Sequence, residues 1–235
     1  MARRIHIPQL SVGDILLDPI EAHHIRDVLR MQNGAAVEVF DDAGAVAQAV
    51  LLHLGPRETA VRISHIEPAA DSRALQWTVA SAVPKGERAD WMVEKLSELG
   101  AAAFIPLAAA RSVVLPQGQG KRERWMRIAT ESAKQSRRAG VMRIEELTSL
   151  ADAIKNIKGH GWFFATEIPG IPIAQALVAA RKLPSLTMFI GPEGGWKSDE
   201  IAAFSSAGLT AVRLGRTILR IETAAIAAAA VISSA

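Results

Sequence analysis

The sequence contains no cysteine in its 235 residues. Disulfide bonds, thiolate catalysis and zinc sites with Cys ligands are therefore excluded, and a reducing cytoplasm is a compatible setting. No apolar run reaches the ~18 residues of a membrane-spanning helix; the alanine-rich segment 224–235 comes nearest and is too short. No apolar stretch follows the arginines near the start, so we expect no secretory signal. These absences predict a cytoplasmic protein that is not inserted in a membrane.

Metal-binding patterns are also missing from the sequence. There is no His-Glu-x-x-His motif. The adjacent residues His23 and His24 would point ~100° apart on a helix, so their rings could not share one ion. The prediction is a protein that holds no metal.

Positive charge, in contrast, is concentrated in one short segment. The net charge is only +3, but residues 121–143 carry eight basic side chains against Glu123 and Glu131. The eight are Lys121, Arg122, Arg124, Arg127, Lys134, Arg137, Arg138 and Arg143. Such a focused excess is typical of a surface that docks a polyanion. A solvated helix face is the other interpretation, and the charge pattern leaves it open.

The pattern of apolar residues changes near residue 70, where we place a domain boundary. Residues 1–70 contain short runs typical of strands, with turn signals between them and one helix predicted over residues 20–29. On that helix Arg26 and Arg30 should share one face, an arrangement that suits a phosphate contact. The proline-marked stretch 67–73 then separates this β-rich domain from residues 71–235.

From residue 75 onward strands and helices alternate, which predicts an α/β domain. The apolar strand 186–190 runs into Gly191-Pro192-Glu193-Gly194-Gly195, and a second glycine-marked loop occupies residues 214–224. Ligands bind at the carboxyl ends of such strands, and glycine lets the backbone approach them closely. We therefore expect the two loops to be walls of one pocket. Lys85 stands at another strand-to-helix turn, where a cation favours an anionic ligand.

The stretch 191–198 nearly matches the phosphate-binding pattern Gly-x-x-x-x-Gly-Lys-Ser, but Trp196 replaces the second glycine. An indole at that position prevents the backbone from wrapping a phosphate. No later strand ends in an acidic residue that could hold magnesium. The pocket suits instead an adenosine-type cofactor held by backbone hydrogen bonds, and Trp196 is expected to be a packing residue.

Several motifs together resemble one known family. They are His23-His24-Ile25 through Val28-Leu29-Arg30, Lys85-Gly86 with Glu94-Lys95 and Glu98-Leu99-Gly100, Arg111-Ser112-Val113, Gln135-Ser136 with Arg138, Gly191 through Gly195, and Leu214-Gly215 through Arg220 to Ala224. On these residues the chain resembles, over essentially its whole length, the bacterial 16S ribosomal RNA uridine-N3 methyltransferases of the SPOUT superfamily. The last two motifs together are highly specific.

The resemblance implies a fold, a reaction and partners. The fold is a small PUA-like β-barrel domain followed by an α/β knot domain that contains a deep trefoil knot. The reaction is methylation of N3 of a uridine in 16S rRNA of the small ribosomal subunit, with S-adenosyl-L-methionine as the cofactor. The protein is expected to be a homodimer.

The residues and the resemblance together give candidate site residues. The candidate cofactor contacts are Thr166, Glu167, Ile190, Gly191, Gly194, Gly195, Leu214, Gly215, Ile218, Leu219, Thr223 and Ala224. The candidate RNA contacts are Arg26, Arg30, Lys85, Arg111, Arg137 and Arg138.

Arg220 and Glu222 are the candidate catalytic residues. Arg220 would stabilise negative charge that develops on a uracil carbonyl. The alternative for Arg220 is a structural ion pair with Glu222. Glu222 would orient Arg220 or cap the following helix, and no general base is assigned.

Two features depart from the family pattern. Residues 134–138 read Lys-Gln-Ser-Arg-Arg where the family usually has Glu-Gln-Ser-Gly-x-Arg, and Met142 stands where proline is common. These changes concern the RNA contacts rather than the reaction, because Arg138 is kept. The alternative function is a non-catalytic RNA-binding or ribosome-assembly protein with the same fold, which would bind no S-adenosylmethionine.

Overall fold

The computed structural model of the protein describes residues 3–55, 58–69, 75–116, 118–180 and 182–234. Contacts between residues divide the chain into two compact units. The first is formed by Met1–Asp71 with Ala133–Val141, and the second by Ser72–Ser132 with Met142–Ala235. The first unit therefore includes a segment from the middle of the chain. Residues 70–73 of the stretch that we expect to separate the domains lie outside the described residues.

The first unit is built on one mixed sheet. Its described elements are β1 (Arg3–His6), β2 (Gly13–Leu16), α1 (Pro19–His23), a π-helical segment (His24–Val28), β3 (Ala36–Phe40), β4 (Val46–His53) and β5 (Thr59–Ile63). The strand order is β1-β3-β4-β5-β2, in which β1 is parallel to β3 and the other pairs are antiparallel. Alternate residues, among them Val37, Val39 and Leu51, are fully buried in one core, as expected for strands with one buried face.

The helix predicted over residues 20–29 is in fact two shorter elements. Asp18 caps α1 by accepting hydrogen bonds from the N–H groups of Ile20 (2.9 Å) and Glu21 (3.0 Å). The chain then continues as the π-helical segment, and Arg30 follows with a φ of 52° in the left-handed region. The prediction that Arg26 and Arg30 share a helix face is therefore wrong, because helical geometry ends before Arg30.

Arg4 holds the segment Ala133–Val141 within the first unit. Its Nη1 donates hydrogen bonds to the carbonyl oxygens of Ala133 (3.1 Å) and Arg138 (2.7 Å). Its Nε lies 2.9 Å from the carboxylate of Glu38. Burial lowers the pKa of the Arg4 guanidinium, and the charge of Glu38 opposes that shift. A buried cation is tolerated here because carbonyl oxygens and a carboxylate surround it.

The second unit alternates strands and helices, which confirms the α/β prediction. Its elements are β6 (Gln76–Ser81), α2 (Glu87–Glu98), β7 (Ala103–Ala108), α3 (Gln119–Ser136), β8 (Arg143–Ile144), β9 (Thr148–Ser149), α4 (Leu150–Lys155), β10 (His160–Phe164), β11 (Ile171–Pro172), α5 (Ile173–Ala180), β12 (Ser185–Ile190), α6 (Ser198–Ser206), β13 (Thr210–Arg213) and α7 (Ile221–Ser233). The last turn of α3 is counted with the first unit.

The sheet of the second unit is parallel, with the order β11-β13-β10-β12-β6-β7-β8, and β9 pairs with β7. Its register decides where the site lies. Phe164 at the end of β10 is paired with Ile190 of β12 on one side and with Val212 of β13 on the other. The three strands therefore end side by side, and the loops that follow them leave the same edge of the sheet.

A cluster of aromatic side chains packs in the core beneath that edge of the sheet. Phe163 stacks on Phe204 with ring centroids 4.6 Å apart, and Trp196 meets Phe204 edge-on at 4.9 Å. Trp196 is only 2% exposed. The expectation that Trp196 is a packing residue is confirmed.

Candidate active site

The loops that leave the ends of β10, β12 and β13 enclose a cavity of about 490 Å³, which we call the glycine cavity. The candidate cofactor residues that line it are Thr166, Glu167, Ile190, Gly191, Gly194, Gly195, Leu214, Gly215, Ile218, Leu219 and Ala224. Thr223 is exposed and does not line it. The volume falls within the range of ~300–1,000 Å³ that is usual for small-molecule sites.

The first glycine loop, residues 191–196, is tightly packed against its surroundings. A Cβ atom on Gly191 would lie 2.8 Å from the indole of Trp196. The indole Nε1 in turn donates a 2.8 Å hydrogen bond to the carbonyl oxygen of Phe164. Gly195 has a φ of +71°, a conformation that favours glycine. The shape of this loop is therefore set by packing within the protein.

Two charged side chains brace the same loop. Glu167 accepts hydrogen bonds from the backbone N–H of Trp196 through Oε1 and from that of Thr166 through Oε2, both at 2.9 Å. Arg111 donates from Nη1 to the carbonyl oxygens of Gly194 (2.6 Å) and Trp196 (3.4 Å). The candidate RNA contact Arg111 thus lies against the glycine loop itself.

The second loop, residues 214–220, has no helix or strand. Its last residue, Arg220, caps α7, and its carbonyl oxygen accepts a 2.8 Å hydrogen bond from the N–H of Ala224. No atom lies within 4 Å of a Cβ built on Gly215. Ile218 on this loop is 82% exposed although it is large and apolar. This wall therefore offers polar backbone groups, open space and an uncovered apolar side chain, which together suit a nucleoside-sized ligand.

A second cavity of about 560 Å³ is lined by Lys85, Arg88, Val113, Glu193 and Arg220, and we call it the cationic cavity. Glu193 lines the glycine cavity as well. The two cavities therefore share a residue. The candidate catalytic residue Arg220 and the candidate RNA contact Lys85 therefore line the same cavity.

The ion pair between Arg220 and Glu222, which is the alternative to a catalytic role for Arg220, is absent among the described residues. Glu222 is paired with Arg88, whose Nη1 lies 3.4 Å from Oε1. Glu222 is 4% exposed. Its Oε2 has no hydrogen-bond partner in the described part of the chain, so the carboxylate does not cap α7. The sequence did not identify Arg88 as a residue of the site. The one signal for it was its position in the first turn of α2, directly after Lys85-Gly86.

The candidate RNA contacts of the first unit differ in their surroundings. Arg26 donates to the neighbouring carboxylate of Asp27 at 3.1 and 2.9 Å. These bonds, with help from His23, lower the pKa of Asp27 to about 2. Arg30 is exposed.

Two further candidate RNA contacts of this unit lie just beyond α3. Arg137 pairs with Glu38 at 2.8 Å and has a φ of 57°. Arg138 is half-buried, and the loss of water around its guanidinium lowers its pKa to about 10.

The basic segment 121–143 is divided between the two units. Several of its charges are partly neutralised by carboxylates. Lys121 and Arg124 both pair with Asp90, at 3.0 and 2.8 Å, and Lys134 pairs with Glu21 at 2.9 Å. The positive charge of this segment is therefore smaller than the count of its basic side chains suggests.

The described residues contain no group of three or more His, Cys, Asp or Glu side chains that could hold a metal ion. Within the same ranges no helix is both long and apolar enough to cross a membrane.

Comparisons with known proteins identify the class. Residues 71–233 match the family described as RNA methyltransferase domain, and residues 17–64 match the family described as RNA methyltransferase PUA domain. The chain is thus an α/β protein of the RNA methyltransferase class that carries a PUA-like domain.

Full-length relatives narrow the class to one family. The ribosomal RNA small subunit methyltransferase E of Bacillus subtilis is 34% identical over 224 residues, which cover 91% of this chain and 87% of the relative. That of Synechocystis sp. is 31% identical over 229 residues, 96% of this chain and 75% of the relative. The crystal structure of the Neisseria gonorrhoeae protein of the same name, bound to S-adenosyl methionine, is 26% identical with a TM-score of 0.83, covering 100% and 98% of the two chains. The chain belongs to the ribosomal RNA small subunit methyltransferase E family.

Proposed function

We propose that this protein transfers a methyl group from S-adenosyl-L-methionine to N3 of a uridine in 16S rRNA of the small ribosomal subunit. One observation carries the proposal. A glycine-walled cavity of nucleoside size shares Glu193 with a cavity that bears three cations. The first can hold a nucleoside cofactor, and the second can hold a base with its anionic backbone.

The residues of the glycine cavity fit the cofactor. Gly194 and Gly215 let the backbone approach a ligand, and Ile218 offers an exposed apolar surface for an adenine ring. Glu167 and Arg111 keep the wall in place by bonding to its backbone. The relative from Neisseria gonorrhoeae, which has the same fold, was crystallised with S-adenosyl methionine.

S-adenosylmethionine supplies a methyl group that is already activated as a sulfonium. The chain must therefore align the acceptor nitrogen with it and stabilise the charge that develops. Arg220 is exposed, lines the cationic cavity and makes no ion pair with a described residue. It is therefore available to stabilise negative charge on a uracil carbonyl. Lys85 in the same cavity suits a phosphate of the bound RNA.

RNA contacts outside the two cavities would come from Arg26, Arg30, Arg137 and Arg138. Arg26 and Arg137 are held in place by carboxylates, which orients their guanidinium groups before RNA arrives. We further infer that the sheet of the first unit closes as a PUA-like barrel and that the second unit contains the deep trefoil knot of the SPOUT superfamily. The protein would act in the cytoplasm.

A homodimer is part of the proposal. Sedimentation equilibrium of the purified protein should give about twice the mass of the 25.1 kDa chain. A monomer at micromolar concentration would contradict this part of the proposal and leave the reaction untouched.

The reaction itself is tested on small ribosomal subunits that lack the modification. The purified protein and S-adenosylmethionine should produce 3-methyluridine in 16S rRNA, identified by mass spectrometry of the digested nucleosides. Calorimetry with S-adenosylmethionine provides the second measurement. A protein that binds 16S rRNA but neither binds the cofactor nor forms the product would be a non-catalytic RNA-binding or assembly protein.

A further inference from the structure

Glu222 is the only ionisable side chain of α7, a helix of 13 residues, and it is 4% exposed. A buried carboxylate is unfavourable unless charged or hydrogen-bonding partners compensate it. Among the described residues it has one partner, Arg88, at the long distance of 3.4 Å. Its second oxygen, Oε2, has none. The described part of the chain therefore keeps this acceptor oxygen inside the fold without a donor.

The neighbours of Glu222 along the chain belong to different cavities. Ile221 and Ala224 line the glycine cavity, whereas Arg220 lines the cationic cavity. Arg88, which holds the other carboxylate oxygen, also lines the cationic cavity. Glu222 itself lines neither cavity, but it lies on a segment whose residues line both.

The charges around α7 are few. Besides α2, the helix packs against α5, β6 and β12, none of which carries an ionisable side chain. The other charged residues of α2 include Asp90, paired with Lys121 and Arg124, and Lys95, paired with Glu94 and Glu98. Arg88 on α2 is the cation that pairs with Glu222, and Arg220 precedes Glu222 by two positions at the N-cap of α7.

We propose that Glu222 is the general base of the methyl transfer and that Arg88 is the positioning residue that orients it. This inference rests on the proposed function. The lone pair of uridine N3 forms the new N–C bond as the C–S bond to the methyl group breaks, and the bonding pair remains on sulfur. The N3 proton passes to Oε2 of Glu222, which becomes a neutral carboxylic acid and later returns the proton to water. Arg88 holds Oε1, so that Oε2 remains the free acceptor.

The test uses full-length protein in single-turnover methylation of unmodified small subunits, with S-adenosylmethionine affinity measured by calorimetry. Glu222→Gln keeps the shape of the side chain and removes its basicity. We expect its rate at saturating cofactor to fall by about 100-fold or more, with the cofactor Kd unchanged within about threefold. Glu222→Ala should regain rate with added formate, which a purely structural carboxylate would not.

Arg88 is tested through its conservative variant. Arg88→Met should lower the single-turnover rate with little change in cofactor Kd, and Arg88→Lys should recover part of the loss. Lys95→Met, on the same helix and also removing an ion-paired cation, should leave the rate unchanged. Thermal unfolding curves identify any variant that has lost its fold.

If the unaltered protein methylates the RNA, the proposed function stands, and three results would still overturn the inference about Glu222. The first is a Glu222→Gln rate within about threefold of the unaltered protein. The second is a weakened cofactor Kd with an unchanged saturated rate, which would assign Oε2 to the cofactor. The third is a Glu222→Ala rate that does not respond to formate. Absence of any product from the unaltered protein would instead refute the proposed function.

Discussion

The backbone N–H of Trp196 donates a 2.9 Å hydrogen bond to Oε1 of Glu167, across 29 positions of sequence. The bond joins the loop after β10 to the loop after β12. Both loops are walls of the glycine cavity. The width of the proposed cofactor site therefore depends on a contact between two loops rather than on either loop alone.

Replacement of Gly195 by alanine should disrupt this contact. The new Cβ would collide with Oε1 of Glu167, and the residue would also be forced into a left-handed conformation that costs ~1–2 kcal/mol. Gly208→Ala is the matched control, because its φ of +72° is nearly the same but no atom lies within 4 Å of the added Cβ. Denaturant unfolding and calorimetry should show a larger loss of stability and of cofactor affinity for Gly195→Ala. Equal losses of stability and of cofactor affinity in the two variants would mean that the hydrogen bond between Glu167 and Trp196 does not maintain the cofactor site.

Replacement of Gly215 by alanine tests whether the second loop touches the cofactor. The added methyl group meets no protein atom within 4 Å, so the stability of the fold should not change. It would instead narrow the glycine cavity, and we expect the Kd for S-adenosylmethionine to rise by about tenfold. Gly120→Ala, which also adds a methyl group in open space, is the control that should leave the affinity unchanged. An unaltered Kd for Gly215→Ala would place the ligand away from this loop.

Removal of the Arg220 side chain should separate catalysis from cofactor binding. Arg220 lies in the cationic cavity and does not line the glycine cavity. We expect Arg220→Ala to lower the single-turnover rate by about 100-fold to 1,000-fold, the usual cost of losing a group that stabilises an oxyanion. Cofactor affinity by calorimetry should stay within about tenfold. Unchanged turnover would exclude Arg220 from the mechanism.

Arg137 and Arg138 are tested by their effect on the salt dependence of RNA binding. Each replacement by glutamine should weaken binding. It should also reduce the slope of log K against log salt by about 0.7 for each phosphate of single-stranded RNA that the side chain no longer neutralises. Arg62→Gln is the control from the same unit, since Arg62 forms an exposed ion pair with Asp14 at 2.7 Å. An unaltered slope for the Arg137 and Arg138 variants would mean that neither side chain binds phosphate.

The sequence predicts the α/β alternation and the glycine loops well, because both depend on local patterns. Apolar runs define β10 and β12. Three glycines follow β12 within residues 191–195, and Gly215 follows β13. Parallel strands that end side by side must then bring their loops together. The apolar lining from Ile190, Leu214, Ile218 and Leu219 follows from the same pattern.

Contacts between distant parts of the chain could not be predicted in this way. Arg88 and Glu222 are 134 positions apart, and nothing local to either residue indicates the other. Proximity in sequence offered Arg220 only as an alternative partner of Glu222. The same limitation applies to charge counts, since the carboxylate of Asp90 that neutralises Lys121 and Arg124 lies on a different helix.

Arg4 reaches Ala133 and Arg138 through hydrogen bonds that span 129 and 134 positions. During translation, residues 1–71 leave the ribosome long before these acceptors are made. The first unit can therefore complete its contacts only after the chain has passed residue 141, when residues 72–132 of the second unit have already been synthesised. A fragment that ends at residue 71 would lack the carbonyl oxygens that solvate the Arg4 guanidinium, so the N-terminal unit should be expressed together with residues 133–141.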